Sequence, residues 1–173
     1  MKNIFQSLAL YNRSVNASLM ELLKGLTKEQ MIMETKAFFH SVFETFMHSV
    51  TTDCIWLRRF EKHQPELKCL QGNALLAADD RTIRKEIDDD YRKVFDIRKE
   101  LDGLIESFMH EMNDQDFIRA MQYRNYKGEE VNRLVWQLLL HWFNHQTHHR
   151  GNISVLLDFM GVANDFSSLI PRI

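Results

Sequence analysis

The 173-residue chain reads as an all-α protein, a bundle of four long helices. Two observations predict this class. Apolar residues recur at helical spacing over long segments that only two prolines and six glycines interrupt. Strand-like alternation of apolar and polar residues is nearly absent. The length fits a single domain, residues 1–173, with enough chain to bury a substantial core.

The first helix is expected from about Phe5 to Leu26, with Leu8, Tyr11, Val15, Leu19 and Leu23 on its apolar side. Asn12 and Asn16, one turn apart, are a polar break on that helix and read most simply as solvent-facing. Thr27 and Gln30 have the spacing of a capping box for a short turn. A second helix follows from about Glu34 to Glu61. It is apolar on several sides (Phe38, Phe39, Phe43, Phe46, Trp56), as a central helix with more than one neighbour should be. Around its His48 the same face carries Ser41, Thr45 and Thr52, with Arg59 further along: a pocket wall or a surface stripe.

Pro65 and Gly72 bound a connection. The third helix begins near Arg81, with Asp79 or Asp80 as N-cap, and its stripe runs from Ile83 to Met112. The charges between are a solvated face. The run Asp88–Asp90 is given no metal, because consecutive residues point around a helix instead of converging. Phe117 to Gly128 reads as a loop or short hairpin. The fourth helix spans about Glu130 to Met160 with Gly161 as C′ residue, and the tail from Val162, which contains Pro171, is irregular.

Composition removes several functions. Twenty-four acidic against 22 basic residues give a net charge of −2 with no basic block, which argues against charge-driven nucleic-acid binding. The apolar runs are too short to span a bilayer. The first residues lack the apolar core and cleavage site of a signal peptide, so the cytoplasm is the expected compartment. Two cysteines, Cys54 and Cys69, do not make a disulfide scaffold.

Four of the eight histidines crowd the fourth helix at His141, His145, His148 and His149. A helix turns about 100° per residue. With His145 at zero, His149 falls at about 40°, inside the apolar arc of Leu138, Trp142, Ile153 and Leu156, while His141 and His148 fall on its rim near −40° and −60°. Imidazoles at i and i+4 can grip one ion, and His48 is the candidate third ligand from the second helix. Neutral imidazoles suit Zn²⁺ or Ni²⁺, and three protein ligands with an open position describe a catalytic site better than a structural one. The far side of the same helix carries a second apolar strip, Trp136, Leu140 and Phe143, which either the second helix covers within the chain or a second copy covers, and the latter predicts a homodimer.

Two segments carry a resemblance. Thr45-Phe-Met-His-Ser-Val-Thr-Thr-Asp-Cys-Ile-Trp-Leu-Arg-Arg-Phe is similar to the second-helix signature of the DinB family, and Asn144-His-Gln-Thr-His-His-Arg-Gly-Asn resembles that family's Asn-His-x-x-His-His-Arg-Gly-Gln segment. Tyr11-Asn12 with Asn16, Gly128, and the ending from Gly161 to Pro171 also fit, so the likeness runs over nearly the whole chain. One departure is Asn152, where glutamine is usual. The resemblance implies a DinB/YfiT-like four-helix bundle, often a homodimer, with one divalent metal held by His48, His145 and His149. It also implies chemistry of the kind its members perform, thiol-dependent transfer or isomerisation with a low-molecular-weight thiol as cofactor.

The expected function is therefore a metal-dependent enzyme, a thiol S-transferase acting on small electrophiles. Arg59 is the candidate anchor for a carboxylate of the thiol. The alternatives are a metal-dependent hydrolase and a non-catalytic metal-binding stress-response protein whose ion staples the bundle.

Overall fold

The structure, a computed structural model, describes residues 1–173, apart from the side chain of Asp89. The long helices are α1 (Lys2–Lys24), α3 (Val42–His63), α6 (Lys93–Glu111) and α8 (Val135–Phe159). Each packs on two of the others in the cycle α1–α6–α3–α8, which makes the expected all-α bundle. Short helices α2 (Lys28–Ile32), α4 (Ala74–Ala77), α5 (Asp80–Asp89) and α7 (Asp114–Ile118) decorate the connections, with strands β1 (Ala120–Arg124) and β2 (Glu130–Leu134) before α8. No helix among the described residues is long and apolar enough to cross a membrane.

Local chemistry moves three of the expected boundaries. Helix α3 starts at Val42, not near Glu34, because the Ser41 hydroxyl accepts the Glu44 amide (3.1 Å) and ends the preceding loop. That loop closes on itself, Thr35 Oγ1 donating to the His40 carbonyl (3.0 Å), and puts His40 at φ 62. The expected third helix is two, α5 and α6. The Asp90 carboxylate takes the Arg92 amide (3.0 Å) and offers the backbone an alternative to continuing the helix. Asp89, inside the acidic run, has its side chain outside the described residues. The fourth helix begins at Val135 because Glu130–Leu134 pairs antiparallel with Ala120–Arg124. Asn125 Oδ1 holds the Lys127 and Glu129 amides in the turn (2.9 and 3.0 Å), and Gly128 supplies φ 79, which a side chain would strain.

Other local expectations match. Thr27 and Gln30 form a capping box, Asp79 caps α5 through the Thr82 amide (2.7 Å), and Gly161 follows α8 at φ 73. The tail is irregular up to a 3₁₀ turn at Ile170–Arg172 and docks through Phe166, whose carbonyl accepts the Tyr11 hydroxyl (2.7 Å). Of the second strip on α8, Phe143 is buried against Phe5 of α1 (ring centroids 6.1 Å), whereas Leu140 stays half exposed.

Inside the apolar core runs a polar chain that the sequence reading misplaced. Asn12 and Asn16 are each 2 % exposed, not solvent-facing. The Asn16 amide donates to Asp102 Oδ1 (2.8 Å), Asp102 pairs with Arg98 (2.9 Å), and Arg98 pairs with Asp53 (2.5 Å). Asp53, fully buried, also accepts the Trp142 indole N–H (2.6 Å) and the Gln146 amide. Arg150 returns from α8 to Asn16 (3.4 Å). All four long helices thus share one network containing two buried carboxylates and two buried guanidinium groups.

Removing one partner of a buried ion pair leaves the other charge unpaired and costs about 3–5 kcal/mol. We expect Arg98→Met, which strands Asp53 and Asp102 together, to destabilise the protein by about that much in urea unfolding. Asp96→Ala, which removes a surface pair with Lys99 (3.7 Å), should leave the midpoint unchanged. Equal midpoints for the two variants would deny the network its structural role.

Candidate metal centre

The facing surfaces of α3 and α8 carry His48 on one side and His145 and His149 on the other. The i, i+4 spacing stacks the two α8 rings one turn apart, 4.2 Å between centroids, and both meet His48. Each ring turns its Nε2 to a common point. The His48–His145 and His145–His149 nitrogens are 3.2 and 3.0 Å apart, and ligand atoms of all three residues lie within 4.8 Å of one another. His148 and His141 do not join them. His148 faces Asn152 (3.2 Å), and His141 lies against Trp56 (ring centroids 5.8 Å).

Two nitrogens each about 2.0–2.1 Å from a tetrahedral ion stand about 3.3 Å apart. The observed spacing is close to that. Nitrogens this close either share protons in N–H···N hydrogen bonds or turn their lone pairs on one cation, and the spacing suits the second arrangement. The chemistry of the donors agrees. Burial pushes the His48 ring below its ordinary value, and it takes His145 to about 4 and His149 to about 3, with the neighbouring imidazoles adding a smaller effect in the same direction. All three are thus neutral ligands at neutral pH. The Nδ1 atoms of His145 and His149 are buried with no hydrogen-bond partner among the described residues, so the ring orientations are set by helix packing.

That packing is fixed next door. Asp53, five residues after His48, takes hydrogen bonds from Trp142 and Gln146, which flank His145 in the chain. On the open side Phe39 stacks on His48 (4.2 Å, 23°) and sets its edge against His149 (5.4 Å). Thr52 Oγ1 lies 3.4 Å from His48 Nε2. Beyond Phe39 opens a largely apolar groove of about 640 Å³ whose walls include Phe38, Val155 and Phe159, with Thr45 and His148 on the side of the histidines.

Of the residues singled out in the sequence, the structure therefore gathers His48, His145 and His149 and leaves Arg59 elsewhere. Arg59 lies eleven positions after His48, about 16 Å along the helix axis. Its guanidinium sits between Trp56 and Tyr123. Sequence reasoning missed Phe39 as a cover, having placed it inside a helix. The signal was present in Ser41-Val-Phe-Glu44, the spacing of an N-cap that puts Phe39 in the preceding loop. It also missed Asp53, although Phe46, Val50, Leu57 and Phe60, at −7, −3, +4 and +7, mark the position as core.

Elemental analysis should find one equivalent of divalent metal per chain in the wild type, none in His48→Ala, His145→Ala or His149→Ala, and full occupancy in His141→Ala, His110→Ala and His63→Ala. Full occupancy in His48→Ala would break the three-ligand assignment. The metal-free protein carries a pH signature as well. Histidine in an unfolded chain titrates near 6.5. Between about 6.5 and about 4 the unfolded chain takes up protons that His145 and His149 refuse in the fold, so stability is lost as pH falls through that window and is unaffected above it. The Tm of the metal-free wild type should drop across this range, and less steeply in a His145→Gln, His149→Gln double variant. Parallel profiles would locate the pH sensitivity elsewhere.

The DinB family profile matches residues 1–166. Protein DinB of Bacillus subtilis (strain 168) is 28% identical over 156 residues, covering 89% of this chain and 84% of that protein. No solved structure matches the chain.

Proposed function

This chain belongs to the DinB family, and on that basis we propose that it is a metal-dependent enzyme, a thiol S-transferase that joins a small cellular thiol to an electrophile. The observation that carries the reading is the convergence of three neutral imidazole nitrogens, from His48, His145 and His149, within 4.8 Å. A divalent ion there, zinc or nickel, would supply the Lewis acidity that turns a thiol into a thiolate near neutral pH.

The chain's residues account for the remaining requirements. Its own thiols are unsuited to the work, because burial pushes both Cys54 and Cys69 up to about 12, so the nucleophile has to come from outside. Thr52 offers a hydroxyl beside His48 Nε2 with which to orient an incoming ligand. The apolar groove behind Phe39 suits an uncharged electrophile. Phe39, lying on His48, has to swing aside before a ligand reaches the three nitrogens. The strip of Trp136 and Leu140 on α8 is the place where a second copy of the chain would seat, and the cytoplasm, rich in small thiols, is the proposed compartment.

The same Phe39 contact favours a second reading, in which the ion staples α3 to α8 and does no chemistry. The cobalt-substituted protein separates the two. Titration with glutathione, cysteine and other small thiols should produce a sulfur-to-metal charge-transfer band, and Phe39→Ala should strengthen thiol binding with metal content unchanged. If no thiol perturbs the cobalt spectrum in either protein, the transferase reading falls and the staple or hydrolase reading replaces it.

A further inference from the structure

A second polar site lies down the bundle from the histidines. Between the C-terminal half of α3 and the β1–β2 hairpin is a cleft of about 670 Å³. Its charged walls are Arg59, Lys62 and Arg124 against one carboxylate, Glu130, in a chain whose net charge is −2. Glu130 is already engaged with Arg124 (2.8 Å) at the exposed rim.

Arg59 differs from the arginines around it. Arg58 pairs with Asp80 (2.8 Å), Arg119 with Glu66, and Arg124 with Glu130. Arg59 has no carboxylate partner among the described residues. Its guanidinium lies 4.8 Å from the Trp56 ring centroid and 4.4 Å from that of Tyr123, and its one hydrogen bond among the described residues, from Nη2, goes to the Arg124 carbonyl (3.3 Å). Partial burial pulls its pKa down, with Tyr123 alone opposing, which marks a charge that has lost water without gaining an anion. Two aromatic faces hold the fork in one orientation and leave most of its N–H groups for a ligand. Lys62 stands one turn further along α3. His63 Nε2, in the same cleft, is buried and lacks a hydrogen-bond partner among the described residues.

We propose that this cleft is a binding site for a small organic oxyanion, a carboxylate or a phosphate, gripped by Arg59 and Lys62 and separate from the histidine centre. A fixed guanidinium fork matches the paired oxygens of either group. The apolar floor of Met121 and Val131 accommodates the carbon part of the ligand. Arg59 lies about 16 Å from His48 along the axis of α3, and the cleft shares no lining residue with the groove beside the histidines. The proposal does not rest on the transferase reading.

The test is NMR titration of the protein as purified, with its metal content measured, using inorganic phosphate in one arm and malate in the other, each against sodium chloride of equal ionic strength. The Arg59 Nε–H and Trp56 indole resonances should shift saturably with at least one of the two anions and not with chloride. A response to phosphate alone assigns a phosphate ester as the ligand class, and a response to malate alone assigns a carboxylate. Arg59→Met should weaken binding by about tenfold or more, and Lys62→Met, at an exposed position that folding does not require, should weaken it severalfold, both with unchanged metal content. No saturable shift with either anion overturns the proposal, as does unchanged affinity in a folded Arg59→Met. Should Arg59→Met fail to fold, unchanged affinity in Lys62→Met overturns it.

Discussion

The bundle is organised by one buried carboxylate. Asp53 is fully buried, and it is tolerable there only because Trp142, Gln146 and Arg98 meet both of its oxygens. Those three partners come from two different helices. Their hydrogen bonds therefore fix the register of α3 against α8 and α6 more tightly than apolar packing would, since Leu and Phe surfaces can slide by a fraction of a turn and hydrogen bonds cannot. The chain onward through Asp102 to Asn16 brings in α1, so a single polar thread couples all four long helices.

The histidine centre inherits its precision from this thread. The Nδ1 atoms of His145 and His149 have no partner among the described residues to orient them, in contrast to the usual arrangement in which a second acceptor holds each ligating ring. Their orientation comes from the backbone instead. Gln146, next in the chain to His145, and Trp142, one helical turn before it, are both tied to Asp53, five residues after His48. Burial completes the preparation by keeping the rings neutral, which is the state a divalent cation binds.

The two ends of α3 are chemically unlike. Around His48 the neighbours are Phe39, Thr45 and Thr52, and the adjoining groove is apolar. Around Arg59 they are aromatic rings, cations and the amides of a short hairpin. A helix of 22 residues is about 33 Å long, so one element can serve two environments without either disturbing the other. The hairpin is what creates the second: without β1 and β2, Arg59 would be an ordinary exposed arginine.

The sequence by itself determined the class of fold, the long helices and the pair His145–His149, because these depend on periodicity, and periodicity is a local property. It also carried the family likeness through the segments around His48 and His145, and the family is shown by the match over residues 1–166. It misjudged Asn16, since a polar residue on an apolar stripe reads the same whether it faces water or a partner on another helix. It overlooked Asp53, Arg98 and Asp102 as a unit because they lie 45 and 49 residues apart in part and meet only across the bundle. It left the hairpin as an option and ran the fourth helix through β2, since strand pairing is a contact between segments and leaves little trace in either. Tertiary structure alone decided that Phe39 covers the histidines and that Arg59 stands apart from them. Both outcomes depend on where a helix begins and how far along it a residue lies, and so on which distant groups it can touch.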